Sequence, residues 1–235
     1  MDKFHEVFKA RPVVLPVIHV VDREQAIENI LIAREGGSNG VFLINHEMAS
    51  NELFWIYKSI INEFPDFWVG INCLGLGPDE IFNEVSRRNL LNLSGVWTDN
   101  AMIDERSQDQ FEAERIDVLR QISGWNGLYF GGVAFKYQRE VYNIEKVAQI
   151  AARYTDVVTT SGPATGQAAD IEKIRRMKAA IGEKPLAIAS GITSENVRDY
   201  LGISDCFLVA TGISKNFTNL DSEKLKMLMR NVKKQ

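Results

Sequence analysis

Cysteine is nearly absent from this chain: Cys73 and Cys206 are the only two among 235 residues. Both stand in apolar stretches, which excludes a disulfide framework and reads as buried thiols of a reducing compartment. Neither is flanked by a motif that would activate a thiolate. Long hydrophobic runs are missing too, since none approaches the roughly 18 to 20 residues that span a bilayer. The opening segment, Met1 to Pro12, interleaves Asp2, Lys3, Glu6, Lys9 and Arg11 and carries no small-residue cleavage site. No integral membrane segment or secretory leader is expected, and the cytoplasm is the expected location. Positive charge is not in surplus: 27 Lys and Arg face 31 Asp and Glu, a net charge of −4. Without a basic footprint, nucleic acid is not expected as a partner. None of the three histidines stands in an HExxH pattern, so no metal and no other cofactor is expected.

What the chain does have is alternation. Short apolar runs rich in Val, Ile, Leu and Phe occur at 13–20, 40–44, 68–72, 95–98, 127–133, 156–159, 186–189 and 205–209. Runs that are apolar throughout, rather than every second residue, indicate parallel strands covered on both faces. Between them lie segments with helical spacing. Leu53, Ile56, Tyr57, Ile60, Ile61 and Phe64 form one stripe, and Phe111, Val118, Leu119 and Ile122 a second. Ile171, Ile174 and Ile181, then Leu225, Leu228, Met229 and Val232, repeat the pattern. Start signals fit: Asp22 with Gln25 as a capping box, Pro78 after Gly77, and Thr193 or Ser194 opening a helix after strand 7. Eight β-then-α units without a linker or low-complexity segment predict one domain over 1–235, a closed (β/α)₈ TIM barrel rather than a doubly wound sheet.

In such a barrel the C-terminal strand ends face the working site. Read in order they are His19; Asn45, His46 and Glu47; Asn72; Asp99 and Asn100; Lys136; Thr160 and Ser161; Ser190 and Gly191; and Thr211, Gly212 and Lys215. The sharpest signals are the glycine turns after strands 7 and 8, Ser190-Gly191 and Thr211-Gly212. A glycine there lets backbone N–H groups approach an anion, and a following helix N-terminus adds a favourable dipole. Two such turns in tandem predict a phosphate site, although each glycine alone could simply make a tight turn. The loop Ser161-Gly162-Pro163-Ala164-Thr165-Gly166-Gln167 is small and hydroxyl-rich, and reads either as a lid that adds N–H groups to the anion site or as an ordinary connection.

Lys136 has three readings: a base or Schiff-base nucleophile, a permanent cation facing a carboxylate or phosphate, or a solvated rim lysine. Asp99 is either a general acid/base or a cap, with Asn72 and Asn100 placed to orient a ligand. His19 is either a proton shuttle or a satisfied core histidine. His46 and Glu47 offer further acid/base groups without metal-ligand spacing.

Several stretches together resemble a known family. The clearest are Val158-Thr159-Thr160-Ser161-Gly162-Pro163-Ala164-Thr165-Gly166, then Asp170-Ile171-Glu172-Lys173, and Ile188-Ala189-Ser190-Gly191-Ile192-Thr193-Ser194-Glu195-Asn196-Val197. Val69-Gly70-Ile71-Asn72 and the stretch from Trp97-Thr98-Asp99 through Glu112-Ala113-Glu114 add to them. On these residues the chain resembles the BtpA family of TIM barrels, which is associated with photosystem I biogenesis in phototrophs and is widespread elsewhere. The resemblance covers most of the chain and implies a ribulose-phosphate-binding-like barrel. It supplies no catalytic mechanism. Two loops depart from the family pattern: Val20-Val21-Asp22 follows His19 without a proline-rich continuation, and Asn45-His46-Glu47 replaces a Glu-Asn arrangement.

The expectation is a barrel that binds a phosphorylated small molecule, a sugar phosphate or nucleotide-like compound, and acts as an isomerase or lyase. Its expected catalytic residues are Asp99, Lys136 and His19. Asn72, Ser161, Gly162, Thr165, Gly166, Ser190, Gly191, Thr211 and Gly212 are the expected ligand contacts. The competing expectation is a noncatalytic assembly or regulatory factor that retains the barrel and its ligand site. Either is compatible with a homo-oligomer.

Overall fold

The computed structural model describes residues 2–233. Eight strands, β1 (Val13–Val20), β2 (Gly40–Asn45), β3 (Trp68–Cys73), β4 (Gly95–Thr98), β5 (Leu128–Gly132), β6 (Val157–Ser161), β7 (Leu186–Ala189) and β8 (Cys206–Val209), pair in chain order. Every pairing is parallel, and β8 returns to β1, with Val13 opposite Cys206 and Pro16 opposite Val209. The sheet is therefore a closed (β/α)₈ barrel, as the sequence predicts. Apolar strands are needed because each has two dry faces. On β1, Val14, Ile18 and Val20 lie under the helices, whereas Val13, Leu15 and Val17 fill the barrel interior. Phe42, Trp68, Trp97 and Phe130 occupy that interior, with Phe42 5.0 to 5.6 Å by ring centroid from the other three.

The helices are α1 (Lys3–Phe8), α2 (Arg23–Glu35), α3 (Ser50–Ile60), α4 (Pro78–Arg87), α5 (Phe111–Ser123), α6 (Ile144–Tyr154), α7 (Ile171–Ile181) and α8 (Ser222–Lys233). α1 precedes the barrel and sets buried Phe4 against Phe130 at the N-terminal end of the barrel. The caps mostly follow the sequence signals. Asp22 accepts from the Gln25 amide, and Pro78 takes the first turn of α4. The Gln25 side chain does not close the expected box; it accepts from Val21 N–H and donates to the His19 and Thr218 carbonyls.

Three expectations need correction. First, most of the apolar stripe assigned to α5 faces outward: Phe111 is 74% and Ile122 76% exposed and Val118 is exposed too, while of that stripe only Leu119 packs on the core, beside Ala113 and Ile116. Arg120 fixes this rotation, since its guanidinium pairs with Asp156 at 2.6 Å and lies over the Tyr129 ring. Second, no α-helix opens at Thr193 or Ser194. The Asn196 side chain accepts from the Thr193 amide and donates to the Gly191 carbonyl. That side-chain competition leaves turns and a 3₁₀ segment, Val197–Tyr200. Third, Ser161, read as opening the loop after the sixth strand, is a buried residue of β6 itself, as is Thr160.

At the rim opposite the mouth, Asp205 fastens the ring. Its carboxylate accepts from the Leu186 amide (2.8 Å), Lys178 Nζ (2.7 Å) and Arg11 (3.0 Å), and its carbonyl accepts from Val13 N–H. One side chain thus joins β7, β8, α7 and the entry to β1. Among the described residues, replacing Asp205 with Ala removes the only carboxylate partner of Lys178, leaves Arg11 paired with Asp2 alone and frees the buried Leu186 amide, and should cost about 2–3 kcal/mol. Thermal unfolding should then fall by roughly 5–10 °C. An unchanged midpoint would remove Asp205 from this role.

Candidate active site

Closure brings residues from distant parts of the sequence around one mouth. Asn72 is the penultimate residue of β3 and is 2% exposed, and its side-chain amide donates to Asp99 Oδ1 at 3.1 Å. Asp99 follows β4, and Gln138 reaches across from the loop after β5 to its backbone carbonyl. Burial pushes the Asp99 carboxyl above the usual range, against the opposing pull of the Asn72 amide and the Lys136 charge. A 260 Å³ cavity lies against Asn72, Leu74, Asp99 and Asn100. Asn100 instead serves its own loop, its side chain accepting from Met102 N–H.

His19 stands on the other side of the mouth. Its Nδ1 is 3.0 Å from the Phe217 carbonyl, and its ring stacks on Phe217 at 4.1 Å. Because a carbonyl only accepts, Nδ1 carries the proton there, and the neutral ring keeps its lone pair on Nε2. Burial lowers the His19 pKa, the Phe217 carbonyl opposes this, and the His46 and Lys136 charges lower it further. Lys136 thus acts electrostatically on both His19 and Asp99. His46 and Glu47 are exposed, and His46 meets His19 edge-on at 6.1 Å. Among the described residues, no three His, Cys, Asp or Glu side chains form a group able to hold a metal ion.

The loops after β6, β7 and β8 nest against one another. Gly191 has φ of +69°, and a Cβ there would lie 2.2 Å from the backbone of Gln167 and Ala168. A Cβ on Gly212 would lie 2.1 Å from the Ile192 carbonyl oxygen. Both positions therefore exclude a side chain. The amides of Gly191, Ile192 and Gly212 donate to no group among the described residues. After β8 comes a single 3₁₀ turn, Thr211–Ile213, rather than a long helix.

The hydroxyls predicted as ligand contacts divide into two groups. Ser161 accepts from Lys136 N–H at 2.7 Å and donates to the Gly162 carbonyl, and Ser190 accepts from Gly162 N–H. These two frame the loops. Thr165, which accepts from Lys136 Nζ at 3.2 Å, is exposed at the rim with Gly166 and Thr211.

Reading by sequence missed Lys173. It sits on α7, three residues after the capping Asp170, where a lysine ordinarily faces solvent. Here its Nζ donates to the carbonyls of Ala134 (2.6 Å) and Ser161 (2.8 Å), tying together the loops that carry Lys136 and Gly162. Burial lowers its pKa to about 8, with Asp170 opposing. It borders a 580 Å³ cavity shared with Lys136, Arg139 and Gly162. Lys173→Met should speed hydrogen exchange at the Lys136 and Gln138 amides about tenfold, because loop opening becomes easier. Because the fold disfavours protonated Lys173, wild-type stability relative to that variant should rise between pH 8 and about 10.4, the pKa of a free lysine. Equal exchange and parallel pH curves would contradict the role.

Among solved structures, the fold is shared with phosphoribosyl anthranilate isomerase from Thermus thermophilus. That match has a TM-score of 0.63 and 15% identity, over 93% of this chain and 97% of the other. Orotidine 5'-monophosphate decarboxylase from Methanocaldococcus jannaschii, complexed with the inhibitor BMP, gives 0.67 and 13%, over 96% and 100%. The alpha subunit of tryptophan synthase from Legionella pneumophila gives 0.68 and 10%, over 99% and 98%. Identities this low show a common fold alone. Among curated proteins, the sgc region protein SgcQ of Escherichia coli strain K12 is 26% identical over 141 residues, 59% of this chain. The matched segment spans about half the length of that relative, 50%. The BtpA family model matches residues 82–234, which hold β4 to β8 and both glycine turns. The chain belongs to the BtpA family.

Proposed function

We propose that this BtpA-family barrel binds a phosphorylated small molecule at its mouth and moves a proton on it, as an isomerase or lyase. The observation that carries this reading is one of placement. Unpartnered amides at Gly191, Ile192 and Gly212 and a desolvated carboxyl at Asp99 stand on the same ring of strand ends. Phosphate would take the amides after β7 and β8, the Gly212 amide lying within the short turn Thr211–Ile213. Thr165, Gly166 and Thr211 would close over it from the rim, framed by Ser161, Gly162 and Ser190.

Held by that anchor, the reacting carbon faces Asp99, which Asn72 orients. A carboxyl with a raised pKa transfers protons near neutral pH better than an ordinary one. Lys136 would stabilise the negative charge that develops when the proton leaves, and His19, neutral with Nε2 free, is the second proton carrier. Two barrels of the same fold are named for phosphate esters, phosphoribosyl anthranilate and orotidine 5'-monophosphate, which lends support by analogy.

Turnover of a library of phosphate esters tests the proposal. Asp99→Asn and Lys136→Ala should each lower kcat/KM at least a hundredfold. Unchanged turnover in both would overturn the catalytic assignment. Asp99→Asn should also be more stable at pH 7, by about 0.5–1 kcal/mol. The sign follows from burial: the folded state disfavours the ionised carboxyl, so the penalty grows as pH rises above the ordinary aspartate pKa and is complete above the raised one. A less stable Asp99→Asn would show that the carboxylate supports the fold instead.

A further inference from the structure

Trp97 holds a buried hydrogen-bond donor with no partner. Its indole Nε1 finds no acceptor among the described residues, whereas the equally buried Trp125 donates to the Leu93 carbonyl at 2.7 Å. A buried N–H without a partner costs about 1–3 kcal/mol and calls for an explanation. Position supplies one. Trp97 lies on β4 directly beside Asn72 of β3, and it precedes Asp99 by two residues, so it faces the interior one level beneath that carboxyl. From the mouth side it is covered by Phe135, a 4% exposed residue of the loop after β5 whose ring centroid is 6.2 Å away. That loop is unusual: Ala134 and Tyr137, which flank Phe135 and Lys136, both take positive φ, +47° and +62°. Such backbone is sparsely populated for residues other than glycine and clusters where segments change state or grip ligands.

We infer that the Trp97 indole N–H is the site's hydrogen-bond donor to an oxygen on the ligand's reacting carbon, reached when Phe135 withdraws. This rests on the phosphate-anchor reading and narrows its substrate class. The ligand is a phosphate ester of the hydroxy-carbonyl type, with a carbonyl or hydroxyl oxygen next to the carbon that Asp99 serves. A site with a buried donor rejects analogues that lack the matching acceptor, because the donor then stays unpaired. Trp97 is thus a specificity-determining residue.

The test uses full-length protein with inorganic phosphate and two phosphate esters of matched size, dihydroxyacetone phosphate and propyl phosphate. Calorimetry gives the affinities, and the four indole N–H signals in a proton–nitrogen NMR spectrum report on Trp97 directly. Wild type should bind dihydroxyacetone phosphate about three- to tenfold more tightly than propyl phosphate. Only the former should move the Trp97 signal downfield, and Trp97→Phe should bring the ratio close to one. If inorganic phosphate binds but both esters move the Trp97 signal alike, or Trp97→Phe keeps the ratio, the inference is overturned and the anchor stands. If neither inorganic phosphate nor either ester binds wild type, anchor and inference fall together. The wild-type spectrum decides the matter even where Trp97→Phe folds poorly.

Discussion

The ladder between β8 and β1 is the constraint on which the site depends. Without it, Val13 would not lie opposite Cys206, nor Pro16 opposite Val209, and the strands would form an open sheet with β1 and β8 as its two edges. With it, His19 at the end of the first strand and Gly212 after the last become neighbours around one opening. The same closure isolates the two rims. Asp205 and α1 secure the N-terminal rim, where Phe4 and the Arg11 and Lys178 ion pairs serve only packing and charge balance. The C-terminal rim is free to carry groups that packing alone would not favour.

Those groups are paid for in local strain and desolvation. Ser190, Ala134 and Tyr137 all hold positive φ at this rim. Asp99 and Lys173 are each buried enough to move their pKa values, and Trp97 holds an unpartnered N–H. A chain selected for stability alone would relieve each of these, and their presence at this rim supports the proposal that it is the working face. Rigid support comes from the nested loops. The Gly191 and Gly212 backbones press against the loops before them, and Lys173 ties Ala134 to Ser161.

The eight strands were legible in the sequence because a strand with two dry faces must be apolar throughout, and each run shows this locally. The order of polar residues around the mouth followed from strand ends alone. What escaped depends on distant partners. The α5 stripe was misread at Phe111, Val118 and Ile122 because spacing reveals that a helix has an apolar face but not which way it turns, and the Arg120–Asp156 pair decides that. Thr193 and Ser194 carried good helix-start chemistry, yet Asn196 diverts the chain by bonding Gly191 and Thr193. The roles of Lys173 and Trp97 were hidden for a related reason: a lysine near a helix start and a tryptophan in a strand look ordinary until the far end of each side chain is placed. Phe217, which pairs with His19 across 198 residues of sequence, has no local signature at all.

The central claim is that strand closure gathers an anion anchor and a proton-transfer group at one mouth. A crystal structure after soaking with inorganic phosphate tests it most directly. Phosphate density within hydrogen-bond distance of the Gly191, Ile192 and Gly212 amides, on the face of the barrel that holds Asp99, is the result expected. Full occupancy elsewhere, with those amides bound only to water, would contradict the account.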